Sequence, residues 1–156
     1  MDILANNPGP TDSSLECFDG MLIRKATFDR QIVLESKKYL ALAPTPDDVV
    51  IDVGASIGAA TKRFIDCKVS RIIAIEPEIT NFGILSINTQ CYANRIKLIN
   101  AGVASIDGPR ILWLNRKKNR GMNSLIWSPK RHPTLINCVS FASLLESYNP
   151  TLIKSI

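Results

Sequence analysis

The chain has 156 residues, a net charge of +5 and 46% hydrophobic residues, the profile of one globular domain. No run approaches the ~18 apolar residues of a membrane helix, and the start, with an acid at position 2 and no basic-then-apolar order, does not read as a signal peptide. A cytoplasmic location is therefore expected. The spacing of Cys17, Cys67, Cys91 and Cys138 offers no C-x-x-C zinc or redox motif, so these thiols read as idle.

Residues 1–19 read as a flexible tail, and residues 20–156 as a single domain. A short strand is expected over 20–28. A helix is expected over 28–42, with Asp29 as its N-cap and the prolines of "APTPDD" as its stop. Then an alternation begins. Strand "VVIDV" (49–53) is followed by a helix over 58–66, strand "RIIAIEP" (71–77), a helix over 78–94 and strand "IKLINAGVA" (96–104). Strands alternating with helices imply a mostly parallel α/β sheet with right-handed crossovers.

The pattern changes after residue 108. Segments 109–116 and 124–128 read as two strands joined by a basic turn. Residues 137–149 read as a strand running into a helix capped by Ser140 or Ser143, with Leu144 and Leu145 facing the core. Segment 150–156 starts one more buried strand. Arg110, Arg116, Lys117, Lys118, Arg120, Lys130 and Arg131 have no acid among them. Such a run is either a solvated turn that discourages edge pairing or an attractor for an anionic partner such as RNA or a phosphorylated sugar.

The informative stretch is "VVIDVGASIGAATKRF" (49–64). Gly54 and Gly58 belong to a strand-to-helix turn, the place where backbone N–H groups meet a ligand in α/β proteins. The dinucleotide pattern G-x-G-x-x-G is not met, because Ser56 stands where the middle glycine would be. Asp52 precedes the turn, and a carboxylate there repels a pyrophosphate: two unit charges ~4 Å apart interact by about 4 kcal/mol at an effective dielectric near 20. It suits a cationic ligand instead, such as the sulfonium and ammonium of S-adenosylmethionine. Glu76, at the end of the second strand of the series, is placed to accept hydrogen bonds from ribose hydroxyls.

Together "VVIDVGASIGAAT", "RIIAIEPEITNFGILSINTQ" and "IKLINAGVAS" resemble the FkbM family of class I methyltransferases. The matching residues are Asp52, Gly54, Ala55, Ile57, Gly58, Glu76, Pro77, Asn81, Leu85 and Asn88, with Ser56 in place of the family's asparagine. The resemblance implies a Rossmann-like sheet with helices on both faces and S-adenosylmethionine as cofactor. It also implies O-methylation of a hydroxyl on a sugar or other small molecule. Asp52, Gly54 and Gly58 would face the methionine portion, Glu76 the ribose, and Asn100 and Ala101 the adenine, with Ala55, Ser56 and Pro77 also among the cofactor-binding residues. Asn123 and Ser124 resemble a polar step on the family's substrate side, and Glu35 would reach the cofactor's amino end. Family members continue past "LIKSI", so the domain reads as cut after its fourth core strand, leaving an edge that invites self-association or a partner chain. No general base stands out; His132, in "KRHPT", reads as an exposed loop residue. Two other readings remain open: a non-catalytic nucleotide-binding subunit, and an RNA methyltransferase.

Overall fold

The computed structural model describes residues 13–115, 123–127 and 129–148, and the backbone of 153–155. Its centre is a parallel sheet. Strands β3 (Val49–Val53), β4 (Arg71–Ile75) and β5 (Ile96–Ile99) lie side by side, and β9 (Ile153–Ser155) pairs with the other edge of β3, giving the order β5-β4-β3-β9. Val49 stands opposite Arg71 on one side and Ile153 on the other. These strands are nearly unbroken runs of β-branched residues because both faces are covered. Val50, Ile72, Ala74 and Ile96 pack against Phe64 and Ile65 of α2 (Ala59–Asp66) and Leu85 of α3 (Ile79–Thr89). Ile51, Ile73 and Ile75 pack the opposite face against Leu144 of α4 (Phe141–Tyr148), with Leu145 beside it. The expected sandwich of helix, sheet and helix is present. Full burial of each such isoleucine contributes about 1.5–3 kcal/mol.

Two attachments flank this centre. The first is a hairpin of β1 (Leu15–Phe18) and β2 (Met21–Arg24), paired antiparallel. Residues 15–18 are thus a strand, within the stretch expected to be a tail; residues 1–12 lie outside the described residues. Met21 and Ile23 pack with Val33 of α1 (Asp29–Glu35), Ile57, Ala59 and Ile84. Asp29 is not the N-cap of α1. Phe28 holds that position, and the Asp29 carboxylate is buried against Arg24, which donates through Nε, Nη2 and its backbone N–H. A buried carboxylate is held by a fixed cation rather than by weaker capping bonds. The helix expected over 28–42 tightens after Glu35 into 3-10 turns over Ser36–Leu42 and ends at Ala43 in the left-handed region.

The second attachment is a three-stranded sheet with the order β6-β8-β7, formed by β6 (Gly102–Ala104), β7 (Gly108–Leu114) and β8 (His132–Ser140). The continuous strand expected over 96–104 is therefore broken: its first part joins β4 and its second joins β8. Asn100 ends the first part by donating its side-chain amide to the carbonyls of Glu76 and Pro77. Gly102 allows the second, since a Cβ there would come within 2.8 Å of Cys138 Sγ and 2.9 Å of Ile136 Cδ1. Residues 124–127 form no strand either. Ser124 makes a single bridge to Trp113, and the partner of β7 is β8. Ser140 does cap α4, accepting from the Ser143 N–H at 3.0 Å.

Candidate functional site

The turn between β3 and α2 is built from left-handed residues. Gly54 has φ +77°, Ser56 φ +52° and Gly58 φ +90°. The two glycines serve different needs. A Cβ on Gly54 would meet nothing within 4 Å, whereas one on Gly58 would come within 2.8 Å of Leu85 Cδ1. Gly58 lets α2 start tightly against α3, and Gly54 leaves an open side to the turn. Ala55 is buried in the core, and Ala101 packs with Ile51, Ile73 and Leu144. Both side chains are buried in the core rather than open to a ligand.

Asp52 does not present its charge at the mouth of the turn. It is 3% exposed, and its carboxylate accepts from Thr61 Oγ1 at 2.6 Å and from the Thr61 backbone N–H. Gly58, the N-cap of α2, has no side chain, so Asp52 satisfies an N–H of the helix's first turn from the neighbouring strand. Burial raises its pKa from 3.8 to about 6, against the lowering effect of the Thr61 bonds.

The first N–H groups of the turn are also committed. Those of Gly54 and Ala55 both point to the carbonyl of Ile75, at 2.9 and 3.0 Å. That of Ser56 goes to Glu76 Oε2 at 2.8 Å. Glu76 is buried and receives two more bonds, from the Glu78 N–H at 2.9 Å and the Asn81 side-chain amide at 3.3 Å. Burial raises its pKa, and these donors together lower it again in part. Ser56 Oγ is buried without a hydrogen-bond partner.

A cavity of about 320 Å³ begins one residue past Glu76, which is not itself part of the lining. Pro77, Glu78 and Ile79 line it from the start of α3, Asn100 from the end of β5, and Leu114 and residues 134–137 from β7 and β8. That size is at the lower end for small-ligand sites. Glu76, Pro77 and Asn100 are thus brought together, next to Gly54 and Ser56. Glu35 is not: it lies on the surface at the end of α1, accepting from Gln31. Asn123 and Ser124 sit on the edge of the second sheet, bonded to the backbones of Asn115, Ile126 and Trp113. His132 is exposed but is the first residue of β8 rather than part of a loop.

Three residues not given roles in the sequence reading hold the site together. Thr61 fixes Asp52, and Asn81 fixes Glu76. Asn88 exchanges two bonds with the backbone of Leu22 and donates to the carbonyl of Ile57, tying the hairpin to the turn. Asn81 and Asn88 are seven residues apart, two helical turns, which places them on one face of α3.

No protein-family model and no curated protein sequence matches this chain. Solved structures similar to parts of it include M. jannaschii TYW2 in complex with AdoMet, with 24% identity, a TM-score of 0.45, and coverage of 55% of this chain and 41% of that one. P. horikoshii TYW2 in complex with MeSAdo gives 20% identity and a TM-score of 0.42, over 56% and 35% of the two chains. A SAM-dependent methyltransferase from Agrobacterium tumefaciens gives 13% and 0.42, over 56% and 32%. This chain spans about a third to two-fifths of the length of these structures.

Proposed function

We propose that the chain binds the adenosine of S-adenosylmethionine between the 54–58 turn and the start of α3, and that it serves as a methyltransferase. The observation that carries this reading is the pairing around Ile75 and Glu76. The N–H groups of Gly54, Ala55 and Ser56 are all committed inside the protein. A pyrophosphate laid over this part of the turn would find none of these three donors, yet a dinucleotide site depends on such N–H groups. A ribose needs acceptors instead, and Glu76 supplies them at the end of β4.

The residues present fit a nucleoside. A carboxylate has about four acceptor positions, and three donors occupy Glu76. One ribose hydroxyl takes the vacant position, and a second displaces a weaker bond, of which the 3.3 Å contact from Asn81 is the longest. Ser56 Oγ gives a further polar atom in need of a partner. Pro77, Ile79 and Asn100 offer the adjoining cavity to the base. Gly54, Ser56 and Gly58 shape the floor under the methionine portion, and Asp52 acts from beneath it, as a buried negative charge rather than a direct contact.

When bound, S-adenosylmethionine supplies an electrophilic methyl group on a sulfonium. The chain's part is to hold the donor in line with an acceptor, and alignment alone can contribute several kcal/mol. The resemblance extends this to a hydroxyl acceptor on a sugar or another small molecule. Calorimetry with S-adenosylmethionine and with NAD tests the cofactor reading, and a methyl-transfer assay over a panel of hydroxyl acceptors tests the extension.

A further inference from the structure

Charge is segregated along this chain. Residues 108–145 contain seven cations and no acid, while the remainder carries 12 Lys and Arg against 14 Asp and Glu. The whole net charge of +5 therefore arises in the segment that forms β7, β8 and their connection.

Among the described residues, the same segment also carries several exposed apolar side chains. Ile111 stands opposite Leu135 and Trp113 opposite Pro133, so these four share one face. Leu135 is 71% exposed, Ile126 79% and Trp127 67%. Trp127 meets Trp113 edge to face, with ring centroids 6.4 Å apart. Leu135 also lines the cavity at the start of α3, so this face adjoins the space proposed for the base. Lys130 is exposed, and Arg131 lies just before β8. Arg110 stands opposite Ile136, on the other face of the sheet, and donates to the Pro109 carbonyl. Arg116, Lys117, Lys118 and Arg120 lie outside the described residues.

We propose that this face binds single-stranded nucleic acid, with unpaired bases stacking on Trp127 beside Trp113 and Lys130 and Arg131, just before β8, neutralising phosphates. Cations joined to exposed aromatic rings are what a single strand requires: charge for the backbone and a π-face for the bases. An anionic membrane would favour a continuous apolar surface. Here polar side chains interrupt it, with Asn137 exposed opposite Pro109 and Ser124 bridged to Trp113. These groups suit base edges. The proposal does not depend on the cofactor reading, because Glu76 takes no part in it.

The chain has only two tryptophans, and both belong to this face, so intrinsic fluorescence reports on it directly. The full chain is titrated with a short fluorescein-labelled oligouridylate, followed by anisotropy, and with the unlabelled oligomer, followed by tryptophan emission. Binding that quenches emission and weakens steeply with salt is expected. Trp127→Ala should weaken it about tenfold or more. Lys130→Glu with Arg131→Glu should reduce both the affinity and its salt dependence. Circular dichroism confirms that each variant folds; should Trp127→Ala fail to fold, the charge-reversal pair and the wild-type quenching decide. Absence of binding at low salt overturns the proposal, and so does binding that leaves emission unchanged. Equal affinity for a duplex, or preferential quenching by phosphatidylserine vesicles, overturns it in favour of a duplex or a membrane partner.

Discussion

The two sheets of this molecule solve opposite problems. In the parallel sheet, β3 and β4 are buried on both faces, and the polar groups at their ends are tied to nearby donors: Asp52 to Thr61, and Glu76 to Ser56, Glu78 and Asn81. In the three-stranded sheet, Leu112 and Cys138 are buried, while Ile111 and Leu135 stand in solvent. Apolar residues thus have two meanings in one short chain. In the first sheet they are core. In the second they stand exposed on the surface.

The contrast predicts a graded series of stabilities. Ile73 is fully buried in the parallel sheet, and Ile73→Ala should destabilise by about 2–5 kcal/mol in denaturant unfolding. The Gly58→Ala change combines a left-handed backbone with the clash against Leu85, and about 2–4 kcal/mol is expected. Gly54→Ala has backbone strain but open space, so it should cost about half as much. If the two glycine variants are equally costly, the tight approach of α2 to α3 is wrong.

Asp52 gives a pH-dependent test. Its folded pKa is raised, so its contribution to stability is fully present below pH 3.8 and is lost as pH rises through about 6. Asp52→Asn keeps an acceptor for Thr61 without the buried charge. The variant should gain on the wild type as pH rises between those values, by up to about 3 kcal/mol. Unfolding curves for both proteins at several pH values check this. A difference that is constant with pH would mean that the carboxylate is solvated. At the small end, Leu135→Ser on the open face should change stability by no more than about 0.5 kcal/mol.

What was legible in the sequence follows the same division. Strand 49–53 was readable to the residue, and the following helix and strand nearly so, because burial on both faces and the glycine turn leave strong local signals. The cap at Ser140 was equally local. The break at Asn100 was not, since it depends on carbonyls 23 and 24 residues away. Nor was the pairing of β7 with β8. Leu135 and Ile136 are both apolar, but one faces solvent and the other faces inward, which blurs the alternation that marks a half-buried strand. At the site, the positions of Asp52 and Glu76 were visible from spacing. The direction of the Asp52 carboxylate was not, because it is set by Thr61, nine residues later and on another element.

The central claim is that Glu76 anchors a nucleoside that carries no phosphate at the turn. Isothermal calorimetry of the wild type and Glu76→Ala with S-adenosylmethionine, and of the wild type with NAD, tests it most directly. The account predicts binding of the methyl donor, weakened by about 1–3 kcal/mol in the variant, and no comparable binding of NAD. Equal affinity of the two proteins for the methyl donor, or tighter binding of NAD, would contradict it.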